Sequence, residues 1–281
     1  MDRNTVIGGL AGIALLLYGM ASGGKLPYFF HVPSLILTVG GGLVSTILTV
    51  SPETLEQAMR VLPKLLFDRK PDASATLHQL VTLSQKARRE GLLALEADAG
   101  MAADSFAIRA LTLVVDGVEA ERIRKAMSLE LDNVRFRHQT CISLFKSMGG
   151  YFPAWGMIGT LLGLITLLRS LDDPSMIGGS MSVAMITTFY GSVMANFFAL
   201  PIAGRLNEKS REEIRLKEMV MEGILGIQEG VNPHILEHEL QTFLSPAQRL
   251  QHQAATDPPL QTEEASGDRV LTRMTEQTGR R

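Results

Sequence analysis

Four long stretches of this sequence contain no Asp, Glu, Lys or Arg, and they constrain the fold more than any other feature. These stretches are 4–24, 26–52, 147–168 and 174–204. A helix needs about 20 apolar residues to cross the hydrocarbon core of a bilayer. Each stretch meets that length, so we predict an all-α, polytopic membrane protein with four transmembrane helices. The predicted helices pair as two hairpins and lie at about 5–22, 33–50, 150–170 and 180–203.

The distribution of positive charge predicts the orientation of these helices. Of the 27 Lys and Arg residues, only Lys25 and Arg169 lie next to the predicted outer turns. The side of a membrane protein that is rich in Lys and Arg faces the cytoplasm. We therefore expect both termini in the cytoplasm. The N-terminal apolar run continues past any signal-peptide cleavage point, so we interpret it as an uncleaved first helix.

The charged segments between and after the hairpins are also predicted to be helical. Apolar residues recur at helical spacing, and strand-like alternation is scarce. Neither Gly nor Pro occurs in 119–147, so we expect one helix to run from there into the third span. After Pro246 the chain is rich in Gln, Thr, Pro, Glu and Arg, and we expect disorder. The predicted parts of the chain are the hairpins 1–50 and 148–204, the cytoplasmic helical segments 51–147 and 205–245, and the tail 246–281.

The predicted spans contain no charged side chain. A transporter that moves an ion unaided usually keeps an ionisable group inside the membrane. His31 is the nearest candidate, but it lies at the outer end of the second span, where an interfacial position is the simpler interpretation. If this protein moves ions, another chain must therefore supply the carboxylate. The net charge of −2 also argues against a nucleic-acid binder, which needs a basic surface.

Small and hydroxyl residues cluster in the third and fourth predicted spans. Gly159 and Gly163 form a GxxxG pair, which permits close helix approach. One face of the fourth span repeats such residues every four positions, at Ala184, Thr188, Ser192 and Asn196. The pattern suits either tight helix packing or a polar pathway. Pro153 and Pro201 lie near opposite membrane faces, as hinges or as ordinary helix-end prolines.

A short apolar strip in the cytoplasmic part, at 92–95, is flanked by charged residues. These residues are Arg88, Arg89, Glu90 and Glu96. A solvated charged face is the simpler interpretation of this pattern. An electrostatic docking surface is the functional alternative.

These motifs, in this order and at these spacings, resemble the MotA/PomA family from about residue 1 to 245. The residues that carry the resemblance are 88–96, 116–117, 153–164, 171–174, 187–191 and 196–206. The resemblance implies a stator subunit of the bacterial flagellar motor, in the inner membrane. With a MotB/PomB-type partner such a subunit forms an ion channel that converts sodium or proton flow into torque. The partner supplies an Asp on its single span, and five MotA-like subunits surround two partners as a homopentamer.

The resemblance also assigns roles to individual residues. It implies an ion pathway at Thr160, Thr187, Thr188 and Asn196. It implies a surface for the rotor protein FliG at Arg88, Arg89, Glu90 and Glu96. The sequence is most similar to the sodium-driven PomA branch, so we expect Na⁺ rather than H⁺ as the transported ion and no cofactor. Two acids typical of that branch are replaced, by His31 at the outer end of the second span and by Gly150 at the inner end of the third.

Three other interpretations remain open. An ExbB/TolQ-like proton-driven subunit, which energises outer-membrane processes, would have three spans instead of four. A membrane-embedded enzyme would need a nucleophile, metal ligands or an acid pair. Only His234 and His238 among the six His residues are helix-spaced, and Cys141 is the sole cysteine, so we expect no enzymatic activity. A channel that works without a partner is disfavoured by the absence of charges in the spans.

Overall fold

Every regular element that the computed structural model describes is helical. The described residues are 3–24, 26–67, 72–99 and 104–256. Contacts within the chain define two compact units, of which unit 1 comprises Met1–Pro71 and Val118–Met221, and unit 2 comprises Asp72–Gly117 and Glu222–Arg281. These boundaries differ from those of the predicted parts, because the helices that continue the predicted spans belong largely to unit 1.

The α-helices follow one another along the chain with short connections. They are α1 Arg3–Ser22, α2 Val32–Leu35, α3 Gly41–Thr49, α4 Pro52–Phe67, α5 Ala73–Glu90, α6 Glu96–Ala99, α7 Ser105–Val115, α8 Ala120–Arg169, α9 Pro174–Val193, α10 Leu200–Gln228, α11 Pro233–Leu240 and α12 Pro246–Thr256. The 3₁₀ turns are Leu26–Phe29, Leu92–Leu95 and Gln241–Phe243, and the π-helical turns are Ile36–Gly40 and Met194–Ala199. We call α2, the first π-helical turn and α3 together the second apolar segment.

Three helices in the described ranges are long and apolar enough to cross a membrane. They are Leu26–Thr49, Ala120–Arg169 and Ser175–Gln228. The first predicted span, at 5–22, corresponds to α1, whose apolar stretch Ile7–Ser22 is shorter than these three. The predicted spans near 33–50 and 150–170 coincide with the second apolar segment and with the end of α8.

The fourth predicted span begins earlier than the sequence pattern indicated. Asp173 accepts a hydrogen bond from the backbone N–H of Ser175, and Pro174 occupies the first turn of α9. An Asp cap followed by Pro at the first helical position is a strong helix start. The predicted start at residue 180 was therefore wrong, because the Asp-Pro pair begins the helix as well as ending the turn.

The two long helices continue beyond the apolar stretches as expected. Helix α8 is unbroken from Ala120 to Arg169, which confirms the predicted continuation of the third span. Within the predicted helical segment 205–245, the continuation of the fourth span is confirmed and runs to Gln228. Gly230 there has a φ of 71°, and the next N–H, of Val231, donates to the carbonyl of Gly226. This is the usual glycine-terminated end of a helix, and it closes α10 before α11 begins.

Disorder after residue 246 was the wrong prediction for Pro246–Thr256, which form α12. The guanidinium of Arg249 donates to the backbone carbonyls of Gln241 and Thr242. His252 is buried, and its Nε2 lies 2.9 Å from Oε1 of Glu237. Composition missed α12 because these contacts come from the segment before it. The rest of the predicted tail, 257–281, lies outside the described residues.

Polar contacts join α8 to α10 in the part of unit 1 that lies beyond the apolar stretches. Nδ1 of His138 lies 2.9 Å from the hydroxyl of Ser210, and Arg135 forms an ion pair with Glu218. Burial lowers the pKa of His138 below its usual value, while the nearby Glu213 carboxylate opposes that shift. These contacts fix the register of α8 and α10 in the charged parts of the two helices.

The core of unit 2 includes a side chain from the 3₁₀ turn that follows α5. Gly91 ends α5 with a φ of 87°, a backbone conformation that only glycine adopts readily. The turn then directs Leu95 inward, where it is 0% exposed, and Leu93 outward, where it is 73% exposed. Two leucines of the same turn thus have opposite environments.

This contrast gives a matched test of the packing of unit 2. Leu95→Ala should lower the free energy of unfolding of α5 and α7 by about 2–5 kcal/mol, because it leaves a cavity in the core. Leu93→Ala should change the same free energy of unfolding by no more than about 0.5 kcal/mol. Hydrogen exchange of the α5 and α7 amides in the full-length protein measures both values. Equal effects of the two substitutions would contradict the described position of the turn.

Candidate ion pathway between two packed helices

Glycines in α8 bring its backbone against α9. A Cβ added to Gly159 would lie 2.5 Å from the Cβ of Thr187, and one added to Gly163 would lie 2.7 Å from the backbone nitrogen of Ala184. From the other side, a Cβ on Gly191 would lie 2.6 Å from the carbonyl oxygen of Phe152. Real Cβ atoms do not approach so closely, so these positions accept only glycine without a shift of the helices. The GxxxG pair therefore acts in helix packing, as its spacing allowed.

Hydroxyl and carbonyl oxygens converge at this contact. The hydroxyl of Thr160 lies 3.1 Å from the carbonyl oxygens of both Gly156 and Ala184, and 2.5 Å from the hydroxyl of Thr188. The Thr188 hydroxyl is itself 3.4 Å from the Ala184 carbonyl. We call these four residues the oxygen cluster. Its two hydroxyls carry two hydrogens, enough for one bond between the hydroxyls and one to the Ala184 carbonyl.

A cluster of hydroxyl and carbonyl oxygens suits a cation. Hydroxyl and carbonyl oxygens are ligands of hard cations, and they replace the water that such an ion loses. The oxygen cluster contains no carboxylate, and its environment consists of apolar helices. A bound cation would therefore need a negative group from another chain, which agrees with the expectation from the charge-free spans.

Thr187 and Asn196, the other two predicted pathway residues, occupy different surroundings. Thr187 is completely buried against Gly159, and its hydroxyl donates within α9, 3.0 Å from the Ala184 carbonyl. Asn196 is exposed in the second π-helical turn, and its amide donates to the Ser192 carbonyl at 3.0 Å. Asn196 lies about 12 Å further along the helix than Thr188 at 1.5 Å per residue, so it does not belong to the oxygen cluster.

The two predicted hinge prolines both lie inside long helices. Pro153 is in α8, close to the tight contact, where a Cβ on Gly191 would lie 3.2 Å from its Cα. Pro201 follows the π-helical turn Met194–Ala199 in the continuous helix of α9 and α10. A wider turn before a proline relieves the clash between its ring and the preceding backbone, and π-helical turns are frequent at functional sites. A hinge function of either proline stays a prediction.

His31 belongs to a hydrogen-bonded junction that the sequence analysis missed. The hydroxyl of Tyr190 donates to the Phe29 carbonyl at 2.6 Å and accepts from the backbone N–H of His31 at 3.0 Å. The ring of His31 caps α2, with Nδ1 2.7 Å from the hydroxyl of Ser34. His31 therefore helps to hold the N-terminal end of the second apolar segment against α9, where we had expected only an interfacial side chain.

The second apolar segment also carries a buried polar stripe that the sequence analysis did not single out. Its members recur every four residues, at Ser34, Thr38, Gly42 and Thr46. The hydroxyl of Thr38 is buried and has no hydrogen-bond partner among the described residues. The four-residue spacing that revealed the fourth span would have revealed this stripe too. On the same segment, Ser45 accepts a hydrogen bond of 2.8 Å from the indole N–H of Trp155.

The predicted rotor-binding residues lie on the surface of unit 2. Arg88 and Arg89 are in the last turn of α5, and Glu90 ends that helix. Glu96 begins α6 on the other side of the 3₁₀ turn, and all four side chains are exposed. The nearby hydrogen bond from Lys86 to Asp98 joins α5 to α6 at 2.7 Å and raises the pKa of the Lys86 ammonium. A connected charged surface is therefore present, with both signs of charge.

The chain is similar to several known proteins. Residues 99–219 match the MotA/TolQ/ExbB proton channel family. A motility protein A from Treponema pallidum is 40% identical over 249 residues, 89% of this chain and 96% of that protein. The chemotaxis protein PomA of Vibrio alginolyticus is 31% identical, over 89% of this chain and 98% of its own. The solved flagellar MotAB stator complex from Bacillus subtilis matches with a TM-score of 0.82 at 28% identity, over 89% of this chain and 99% of the other.

The glycine contact predicts that a side chain added at a tight position destabilises the helix pair, whereas one added at an open position does not. Gly159→Ala and Gly163→Ala should each destabilise the packing of α8 on α9 by about 1–3 kcal/mol, because the new methyl group has no space. Gly150→Ala in the same helix is the control, since an added Cβ there meets no atom within 4 Å. Thermal unfolding of the purified protein in detergent measures the three effects. A Gly163→Ala variant as stable as the Gly150→Ala control would contradict the described contact.

Proposed function

The chain belongs to the motility protein A family, as its motifs predicted, and we propose that it serves as the ion-channel subunit of a flagellar stator. In such a stator, ion flow across the membrane produces torque on the rotor. The similarity to motility proteins A extends over 89% of the chain, which favours the stator over an ExbB/TolQ-like role in outer-membrane transport. The observation that carries the proposal is the oxygen cluster, which lies between the uncharged stretches 147–168 and 174–204.

The proposed channel is completed by a MotB/PomB-type partner. The partner contributes the Asp carboxylate that the uncharged apolar stretches of this chain lack, and the oxygen cluster completes the coordination of the ion beside it. Gly159, Gly163 and Ala184 are buried in the contact between α8 and α9, so the partner's helix approaches from the side on which Thr188 is exposed. In this proposal Thr187 and Asn196 line further parts of the pathway, and Pro153 and Pro201 are the hinges at which the helices bend as ions pass.

The proposed topology has four membrane crossings in the bacterial inner membrane. Helix α1, the second apolar segment, the apolar part of α8 and helix α9 are the crossing elements. The bias of Lys and Arg supports cytoplasmic termini and a cytoplasmic position for unit 2. The assembly is a homopentamer around the partner, which covers apolar side chains that are exposed in a single chain, such as Leu15 and Leu161.

The choice of ion is tested at the oxygen cluster. A sodium ion that leaves water needs replacement oxygen ligands, whereas a proton needs none. In a sodium motor, Thr160→Ala and Thr188→Ala should stop rotation or raise the sodium concentration for half-maximal speed about 10- to 100-fold. Thr160→Ser, which keeps the hydroxyl, should stay close to the wild type. The measurement is rotation speed across a sodium series at fixed pH.

The same series identifies a proton motor. If the rotation speed of the wild type does not depend on the sodium concentration but changes with the proton gradient, Thr160 and Thr188 have no role in sodium coordination. In that case Thr160→Ala should be tolerated. The chain would then belong with proton-driven stators.

The contact with the rotor protein FliG is tested by charge reversal on unit 2. Arg89→Glu combined with Glu96→Lys should abolish swimming. Opposite charges on two docking surfaces fix how the surfaces align more than how tightly they bind, so the reversed charges would prevent correct alignment with FliG. The double variant keeps the net charge and should still assemble in the membrane. Arg60→Glu with Glu56→Lys is a matched control at an exposed ion pair of α4 in unit 1. Normal swimming of the Arg89 and Glu96 variant would refute this surface.

A further inference from the structure

A cavity of about 360 Å³ lies in unit 1 between the second apolar segment and helices α8 and α9. Its polar lining consists of His31, Ser34, Thr166, Ser175 and Ser180. Most of the remaining lining is apolar. Cavities of this size are large enough for a small ligand or for several water molecules.

One wall of the cavity carries a hydroxyl with no protein partner. Ser180 lines the cavity, and its side chain makes no hydrogen bond to any described residue. Ser34, on the opposite wall, is 2% exposed and bonds to the ring of His31. A hydroxyl that faces open space and has no protein partner bonds to water. The Ser180 hydroxyl is therefore available to water or to a cation in the cavity.

The rim of the cavity is close to a negative charge. The hydroxyl of Ser175, which lines the cavity, donates to the carboxylate of Asp173 at 2.6 Å. Asp172 precedes it in the same outer turn, and Arg169 is the one cation nearby in sequence. An acidic rim raises the local concentration of cations and lowers that of anions.

The inner end of the cavity lies close to the oxygen cluster. Val183 lines the cavity, and its carbonyl lies 3.1 Å from the hydroxyl of Thr187. The next residue, Ala184, supplies the carbonyl that the Thr160 and Thr188 hydroxyls approach. On the facing helix, Gly163 lines the cavity one turn from Thr160. The cavity thus ends within one helical turn of the oxygen cluster on both helices.

We propose that this cavity is a hydrated vestibule, one in each subunit, through which the coupling cation passes from the outer solution to the oxygen cluster. The inference rests on the proposed stator function. Neutral hydroxyls suit a partly hydrated monovalent cation, because they replace some of its water without trapping it as a carboxylate would. An acyl chain of a lipid could fill the same space, and the experiment below distinguishes that occupant.

The first test measures access of water and cations. In a Cys141→Ala background, which removes the sole cysteine, Ser180→Cys is treated from outside with a membrane-impermeant, positively charged methanethiosulfonate. Only the thiolate reacts, so a thiol in lipid stays inert. Ile36→Cys, on an exposed apolar position of the second apolar segment, is the control. The thiol of Ser180→Cys should react at least about tenfold faster than that of the control, and the rotation of the motor should slow as the thiol is modified.

The second test measures ion entry. Ser180→Leu fills the cavity and should raise the ion concentration for half-maximal speed severalfold, while speed at saturating ion is retained. Met181→Leu, at the adjacent and exposed position, keeps the volume and should have no effect. Ser180→Ala is the alternative variant if the leucine prevents assembly. It should produce a smaller shift, of about 2- to 10-fold, through loss of one hydroxyl contact.

The outcomes separate this inference from the proposed function. Lack of rotation by the wild type in a stator-null strain would refute the stator function itself. Rotation of the wild type with an inert Ser180→Cys thiol would overturn the vestibule and indicate a lipid-filled cavity. A thiol that reacts without slowing the motor, or a Ser180→Leu motor with wild-type ion dependence, would also overturn it.

Discussion

The close contact between α8 and α9 is the constraint on which the rest of unit 1 depends. Gly159 and Gly163 have no side chains to separate the helices, so Thr187 and Ala184 pack directly on their backbones. Lipid chains are as apolar as leucine, so packing of this kind, with its hydrogen bonds, holds membrane helices together in place of the hydrophobic effect. Any larger side chain at the contact would also move the hydroxyls of Thr160 and Thr188 apart.

The same contact shows how the uncharged parts of two helices could bind an ion in the proposed channel. Tight packing places the hydroxyls of Thr160 and Thr188 around one backbone carbonyl, that of Ala184. In the absence of an ion the two hydroxyls form hydrogen bonds with each other and with this carbonyl, so neither hydroxyl is left without a partner. In the proposed channel, the hydroxyls would turn their oxygens toward the ion and the partner would supply the negative charge. This division would keep a permanent charge out of the apolar stretches of this chain, where it would be costly.

Sequence patterns predicted the elements of this protein better than their ends. The unbroken α8 follows directly from the absence of Gly and Pro in 119–147, because nothing local interrupts a helix there. The start of α9 and the existence of α12 were missed. In the first case the cap of Asp173 extends the helix outward, and in the second the contacts of Arg249 and His252 with neighbouring segments stabilise a polar helix. Composition contains neither kind of information.

The sequence by itself determined that the chain is helical, that its apolar runs carry no charge, and which family it belongs to. These properties depend on residue type and spacing along one chain. Only the tertiary structure decided which of the predicted pathway residues meet. Thr160 and Thr188 come together because the α8 glycines set the helix separation, while Thr187 is turned into the contact and Asn196 lies further along. The junction of Tyr190 with His31 and the cavity beside it likewise depend on three segments distant in sequence, whose relative positions no local pattern specifies.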